Sequence, residues 1–247
     1  MTIFFSLLLL AATENTDLLP PRIEALRREQ SEDGTSCIAD RSWCVEINAK
    51  GELHASNGGL HAGESSYPLT LLSQDEEGTS TLWPHAIVFG DGMLAGIETE
   101  IVTSYSGGGA QASKLHLILF HPGRMAMHVL TVPIKANIII RACFSKTDME
   151  QRAGACHDEY NFKGRLSLDG SMEAGMPILH YITEATSYPG SVSRDEDSLE
   201  SPPLGKGDLI TVTDSKCSFE RFFRFRPAMD GYRSDEPLPD CSNYTVP

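Results

Sequence analysis

The chain of 247 residues lacks any apolar run of the roughly 20 residues that a membrane-spanning helix requires, so a helical membrane protein is not expected. It has little sequence of helical period, no internal repeat and no coiled-coil heptads, which removes bundles and solenoids. Positive charge is scarce: 20 Lys and Arg stand against 34 Asp and Glu, for a formal net charge of −14. A nucleic-acid binder needs clustered Lys and Arg to displace counterions from phosphate, and an anionic membrane surface needs the same, so both partners are excluded. Neither a Gly-x-Ser-x-Gly elbow nor a His-Glu-x-x-His pair occurs, and no two cysteines lie about two to four residues apart as zinc sites favour. Neither a metal nor a cofactor is expected.

What the chain does have is six cysteines in three local couples, Cys37/Cys44, Cys143/Cys156 and Cys217/Cys241. An even count falling near strand ends predicts sequential disulfides, each stabilising by about 2.5–3.5 kcal/mol on a chain-entropy argument. Such a framework persists in oxidising surroundings, which points to the periplasm or the extracellular space. Residues 1–12 agree with that: the apolar stretch 3–12 is too short to span a bilayer and ends in the small residues Ala11 and Ala12, as an export signal does.

Residues 13–34 read as a tether containing a short helix over 22–30, because Ile23 and Leu26 share a helical face and Glu24 precedes Arg28 by four residues. From Trp43 onward a period of two takes over. Strands are predicted at 43–47 and 52–54 around Lys50-Gly51, and at 86–90 and 93–105 around Asp91-Gly92, a strong hairpin signal. Segments 114–120, 128–132 and 137–144 are more continuously apolar, as strands covered on both faces are. Segment 157–168 alternates, placing Tyr160, Phe162, Leu166 and Leu168 inward and His157, Glu159, Asn161, Lys163 and Arg165 outward. Strands at 178–183 and 209–213 and a last hairpin over 219–232 complete an all-β pattern. The expected fold is an antiparallel β-sandwich, with residues 35–247 as one β-rich domain and long loops at 56–81 and 187–207 as natural places for binding.

Candidate chemistry is thin. Tyr105-Ser106-Gly107-Gly108-Gly109 resembles a phosphate loop but precedes a strand rather than a helix, so it reads as a turn. In Cys156-His157-Asp158-Glu159 the adjacent side chains point to opposite faces, and Cys156 is expected in a disulfide. His157 and Glu159 share a face about 7 Å apart and are weak candidates for a catalytic or cation-holding pair, against a solvated polar face. Glu98 and Glu100 form a second same-face pair of the kind that divides acid and base roles in glycoside hydrolysis, although 34 acidic residues produce such pairs by chance. His116, His121 and His128 match no metal motif. Arg221, Arg224 and Arg226 interleave with Phe219, Phe222, Phe223 and Phe225; this segment can take a carboxylate-bearing or glycan ligand, or lay Phe inward and pair Arg with the acidic surface, the reading preferred here.

Arg141-Ala142-Cys143-Phe144, the segment from Ala155 to Tyr160 and the ending from Pro237 to Pro247 resemble a group of exported bacterial proteins to which no activity is attached. The likeness covers about the C-terminal two thirds and implies bacterial export, nothing about chemistry. The sequon at Asn243 carries no meaning in that setting. The expectation is an exported, disulfide-stabilised, non-enzymatic module that binds an envelope protein or glycan; the alternative is an envelope hydrolase working through His157 and Glu159.

Overall fold

The structure, a computed structural model, describes residues 20–29, 34–58, 63–72 and 78–247. The expected export signal lies outside the described residues. Strand β1 (Arg22–Ala25) is followed by β2 (Arg27–Arg28), β3 (Ser36–Cys37), β4 (Trp43–Ile47), β5 (Glu52–Asn57) and β6 (Gly63–Pro68). Four long strands come next, β7 (Thr79–Phe89), β8 (Gly92–Tyr105), β9 (Gly108–Phe120) and β10 (Met127–Arg141), then a short helix α1 (Lys146–Gln151). Strands β11 (His157–Glu173), β12 (Met176–Tyr188), β13 (Val212–Thr213), β14 (Glu220–Arg226) and β15 (Gly231–Ser234) precede helix α2 (Ser242–Thr245).

These form an antiparallel β-sandwich. One sheet has ten strands in the order β1-β7-β8-β9-β10-β11-β12-β14-β15, with β13 on the flank of β12; the other has five, β2 to β6 in sequence order. The small sheet lays Trp43, Val45, Leu53 and Ala55 against Ala86, Met93, Ala95, Ile97 and Ile118 of β7, β8 and β9. On its other side the large sheet gathers Ile87, Leu94, Leu115, Leu117 and Val132 with Leu179, Tyr181, Phe223, Phe225 and Tyr232, so its first and second halves share one core. Covered on both faces, β9 over 115–120 has the near-continuous apolar character expected of segment 114–120, whereas β8 is buried on both faces only from Gly92 to Ile97 and turns polar beyond it. A third cluster, with Ala136, Ile138, Tyr160, Phe162 and Ala185, is closed by the C-terminal segment through Cys217 and Tyr244.

Proline marks where ladders break. Pro84 falls within the pairing shift of β7 against β8, and Pro133 borders the shift of β10 against β9, places where a missing N–H breaks no bond. Segments 128–132 and 137–144, expected as two strands, are one bulged strand that ends at Arg141. The β7–β8 hairpin turns at Gly90-Asp91, one residue earlier than the Asp91-Gly92 signal suggests, because Phe89 pairs with Gly92 and Gly90 takes the positive φ of 50°. The glycine run after Tyr105 is a hairpin turn, Tyr105 pairing with Gly108. Turn Ala174-Gly175 joins β11 to β12 with both residues at positive φ, 51° and 77°, so Ala174 carries strain that a glycine would not. Ala174→Gly should raise stability by about 0.5–1 kcal/mol, read as an increase in the urea midpoint at constant m.

Three expectations need correction. The helix over 22–30 does not form: Arg22–Ala25 pairs with β7, Ile23 opposite Ile87, and Arg27–Arg28 pairs with β3. An isolated helix of that length is marginal in water, and sheet edges with unpaired backbone groups capture the segment instead. The loop expected over 56–81 contains edge strand β6, whose mostly polar Gly-Glu-Ser-Ser-Tyr-Pro sequence is held by its ladder to β5, with Tyr67 alone packing against the core beneath the small sheet. A helix also occurs where none was expected: α1 starts with a capping box in which Ser145 accepts from the Asp148 N–H and Asp148 accepts from the Ser145 N–H.

All six cysteines are paired sequentially, Cys37–Cys44, Cys143–Cys156 and Cys217–Cys241. The first joins residues directly opposite on β3 and β4, the second closes the loop that carries α1, and the third pins the C-terminal segment. Three intramolecular disulfides are typical of chains that work in an oxidising compartment. Among the described residues no helix is long and apolar enough to cross a membrane.

Candidate functional site

In an antiparallel meander alternate turns fall at the same end. The connections β7–β8, β9–β10, β11–β12 and β14–β15 therefore share one end of the large sheet, and there they frame a cavity of about 470 Å³. Its wall includes Phe89, Met176 and Phe225, all buried members of the central core, so the cavity opens onto the core where the sandwich is not closed over. Met127, Met172 and Leu119 pack beside them. Met125 stands at the loop after β9, 92% exposed, an apolar side chain left in water. Met125, Met127, Met172 and Met176 are half of the eight methionines in the chain.

Polar groups sit among these apolar ones. His121, the first residue after β9, holds Asp91 of the neighbouring turn with Nε2–Oδ1 at 2.8 Å. Its other ring nitrogen, Nδ1, is buried without a hydrogen-bond partner. Arg124 and Asp230 also line the cavity, Asp230 in the left-handed conformation at φ 48°. Thioether side chains are flexible and polarisable, which suits a surface that must adapt to what it binds. The signal in the sequence was the clustering of Met125-Ala126-Met127 and of Met172 with Met176 in two short turn regions, invisible to motif patterns built on His, Cys and carboxylates.

His157 and Glu159 lie at the start of β11, at the far end of the sheet from this cavity. They share a face, His157 opposite Arg141 and Glu159 between Ile139 and Tyr188, with His157 exposed and Glu159 half-buried. Neither lines the loop-end cavity. Between them Asp158 points inward to a buried ion pair with Arg152 that the sequence reading missed. Ser198 Oγ donates to the same carboxylate, while Arg152 donates from Nε to Ala155 O at 2.9 Å and from Nη1 to Ser198 O. This network, with Leu204 N to Gln151 O at 2.7 Å, fastens the loop after β12 onto the α1 loop.

Glu98 and Glu100 are half-buried rather than solvated. Glu100 accepts from Gln111 Nε2 at 2.6 Å, and burial, followed by the charge of Glu100, holds the Glu98 carboxyl above the usual range. His116 is buried, with Thr99 Oγ1 and Thr131 Oγ1 each 2.9 Å from one of its ring nitrogens, and Thr131 also meets His128, whose burial lowers its pKa. These side chains lock β8, β9 and β10 together. In β14, Phe223 and Phe225 face the core, Arg224 and Arg226 both fork onto Glu173 at 2.7 and 2.6 Å, and Arg221 meets Glu236.

Fold and site together define a disulfide-braced, all-β antiparallel sandwich with a methionine-lined cavity at one end. No protein-family model matches the chain, and no curated protein and no solved structure matches it.

Proposed function

We propose that the protein is an exported, non-enzymatic binding module of the bacterial cell envelope, working in the periplasm or outside the cell, and that its ligand enters the loop-end cavity. The observation that carries this reading is the gathering of four methionines from two separate hairpins around an opening into the core. Loops held by a rigid sheet, an apolar wall and a few fixed polar groups are the usual make-up of a ligand site. The disulfides support export, since they keep the sandwich braced where no reducing system protects it.

The purified, oxidised protein should bind Nile red saturably at one site, with a blue-shifted emission from the apolar wall. Met127→Trp, which fills the cavity, should weaken that binding by about tenfold or more, a loss of roughly 1.4 kcal/mol. Unsaturable emission, or the same affinity in the variant, would move the ligand site elsewhere.

A further inference from the structure

The lining of the loop-end cavity is graded. Its buried members, Phe89, Met176 and Phe225, are all apolar, whereas its charged residues, Asp91, Arg124 and Asp230, are all exposed, so the charges stand at the mouth and the apolar surface lies within. Leu119, Met127 and Met172 are intermediate in exposure. A ligand that matches such a gradient has an apolar body and a polar head. Methionine side chains, unbranched and flexible, adapt to an apolar body that itself bends, as an acyl chain does. The volume of about 470 Å³ lies low in the range for small ligands and suits one such chain rather than two.

The charges at the mouth decide what the head carries. Asp91 is taken by His121, Nε2–Oδ1 2.8 Å apart. Arg124 lies in the turn after β9 and Asp230 in the turn before β15, and among the described residues neither side chain makes a hydrogen bond or an ion pair, with the other or with anything else. Arg224 and Arg226 of β14, by contrast, are both held by Glu173. One open cation and one open anion at a single mouth match a head group that bears both charges. Taking the loop-end cavity as the ligand site, we propose that its ligand is a single-chain lipid whose head carries a phosphate and an ammonium group, the class of lysophosphatidylethanolamine. The planar guanidinium of Arg124 donates to the phosphate, the Asp230 carboxylate accepts from the ammonium, and the chain runs inward to Phe89, Met176 and Phe225. Overall charge points the same way: at a net charge of −14 the protein repels an anionic lipid, whereas a zwitterion carries no net charge to repel.

The test uses the oxidised full chain and amphiphiles of equal chain length that differ in the head: myristoyl lysophosphatidylethanolamine, myristate, monomyristoylglycerol and tetradecyltrimethylammonium, each below its micellar concentration. Binding is followed by calorimetry and by displacement of Nile red. The zwitterion should bind at one site, displace the dye and hold about fivefold or more tighter than any of the other heads, the worth of a well-placed exposed charge contact. Arg124→Gln should cost the zwitterion about fivefold and leave the ammonium surfactant unaffected; Asp230→Asn should cost it about as much and leave myristate no weaker. Both side chains are exposed, so both variants should fold and keep the parent's affinity for the uncharged dye. A neutral or singly charged lipid that binds as tightly as the zwitterion, or variants that hold the zwitterion as tightly as the parent does, overturns the head-group assignment and leaves the cavity reading standing. Nile red that binds and yields to none of these lipids overturns the lipid assignment outright, again without touching the cavity. If Nile red itself fails to bind, the cavity reading falls and the lipid assignment falls with it.

Discussion

Asp158→Ala should destabilise the protein by about 3–5 kcal/mol, the range for breaking a buried ion pair from one side. Both partners are nearly closed to solvent, with side chains only 4% exposed, so the loss strands the Arg152 guanidinium in the interior with only carbonyls to satisfy it. The damage should also be directional. Ser198 loses the acceptor for its hydroxyl, so the loop after β12 should become the first site of limited proteolysis in the variant while the β7–β10 hairpins stay protected. Replacing both charges, Arg152→Met with Asp158→Leu, should recover most of the stability, since the pair contributes little beyond offsetting its own desolvation. Urea unfolding of the three oxidised variants checks this; a double replacement as unstable as Asp158→Ala would mean that the pair is needed for more than charge balance.

Phe162→Ala should cost about 3–5 kcal/mol, the price of emptying a buried aromatic site. Phe162 is 1% exposed and lies opposite Ala136 on one neighbour and Ala185 on the other, two side chains too small to close over the void. Three residues earlier on the same strand, Glu159→Ala should change stability by less than about 0.5 kcal/mol. The same pair of variants weighs the hydrolase alternative: a Glu159→Ala protein that folds normally but loses a measurable hydrolytic activity would place the chemistry at His157 and Glu159, whereas unchanged Nile red binding in both accords with the loop-end cavity. A harmless Phe162→Ala would mean that the faces of β11 are reversed.

Much of this was legible in the residues. Period-two alternation in 157–168 gave the inward and outward sets of β11, because a strand leaves no choice of face once one side is apolar. Turn glycines located the hairpins at 105–108 and near 90, and cysteine spacing located the three bridges. The capping box at Ser145 and Asp148 was also written in the sequence and went unread, since a helix of six residues carries no periodic stripe to draw attention to it.

Local pattern by itself determined the class of the fold, the strand faces, the turns and the cysteine pairing, because each depends on residues close along the chain. Only the tertiary structure decided that Arg22–Ala25 would be a strand, since its hydrogen bonds come from β7 some sixty residues away, and that polar β6 would form at all. It alone brought Arg152 and Ser198 to Asp158, and two distant pairs of methionines to one cavity with His121. Those juxtapositions depend on which hairpin ends share a side of the sheet, and ladder register, unlike strand periodicity, is a property of two segments together rather than of either one.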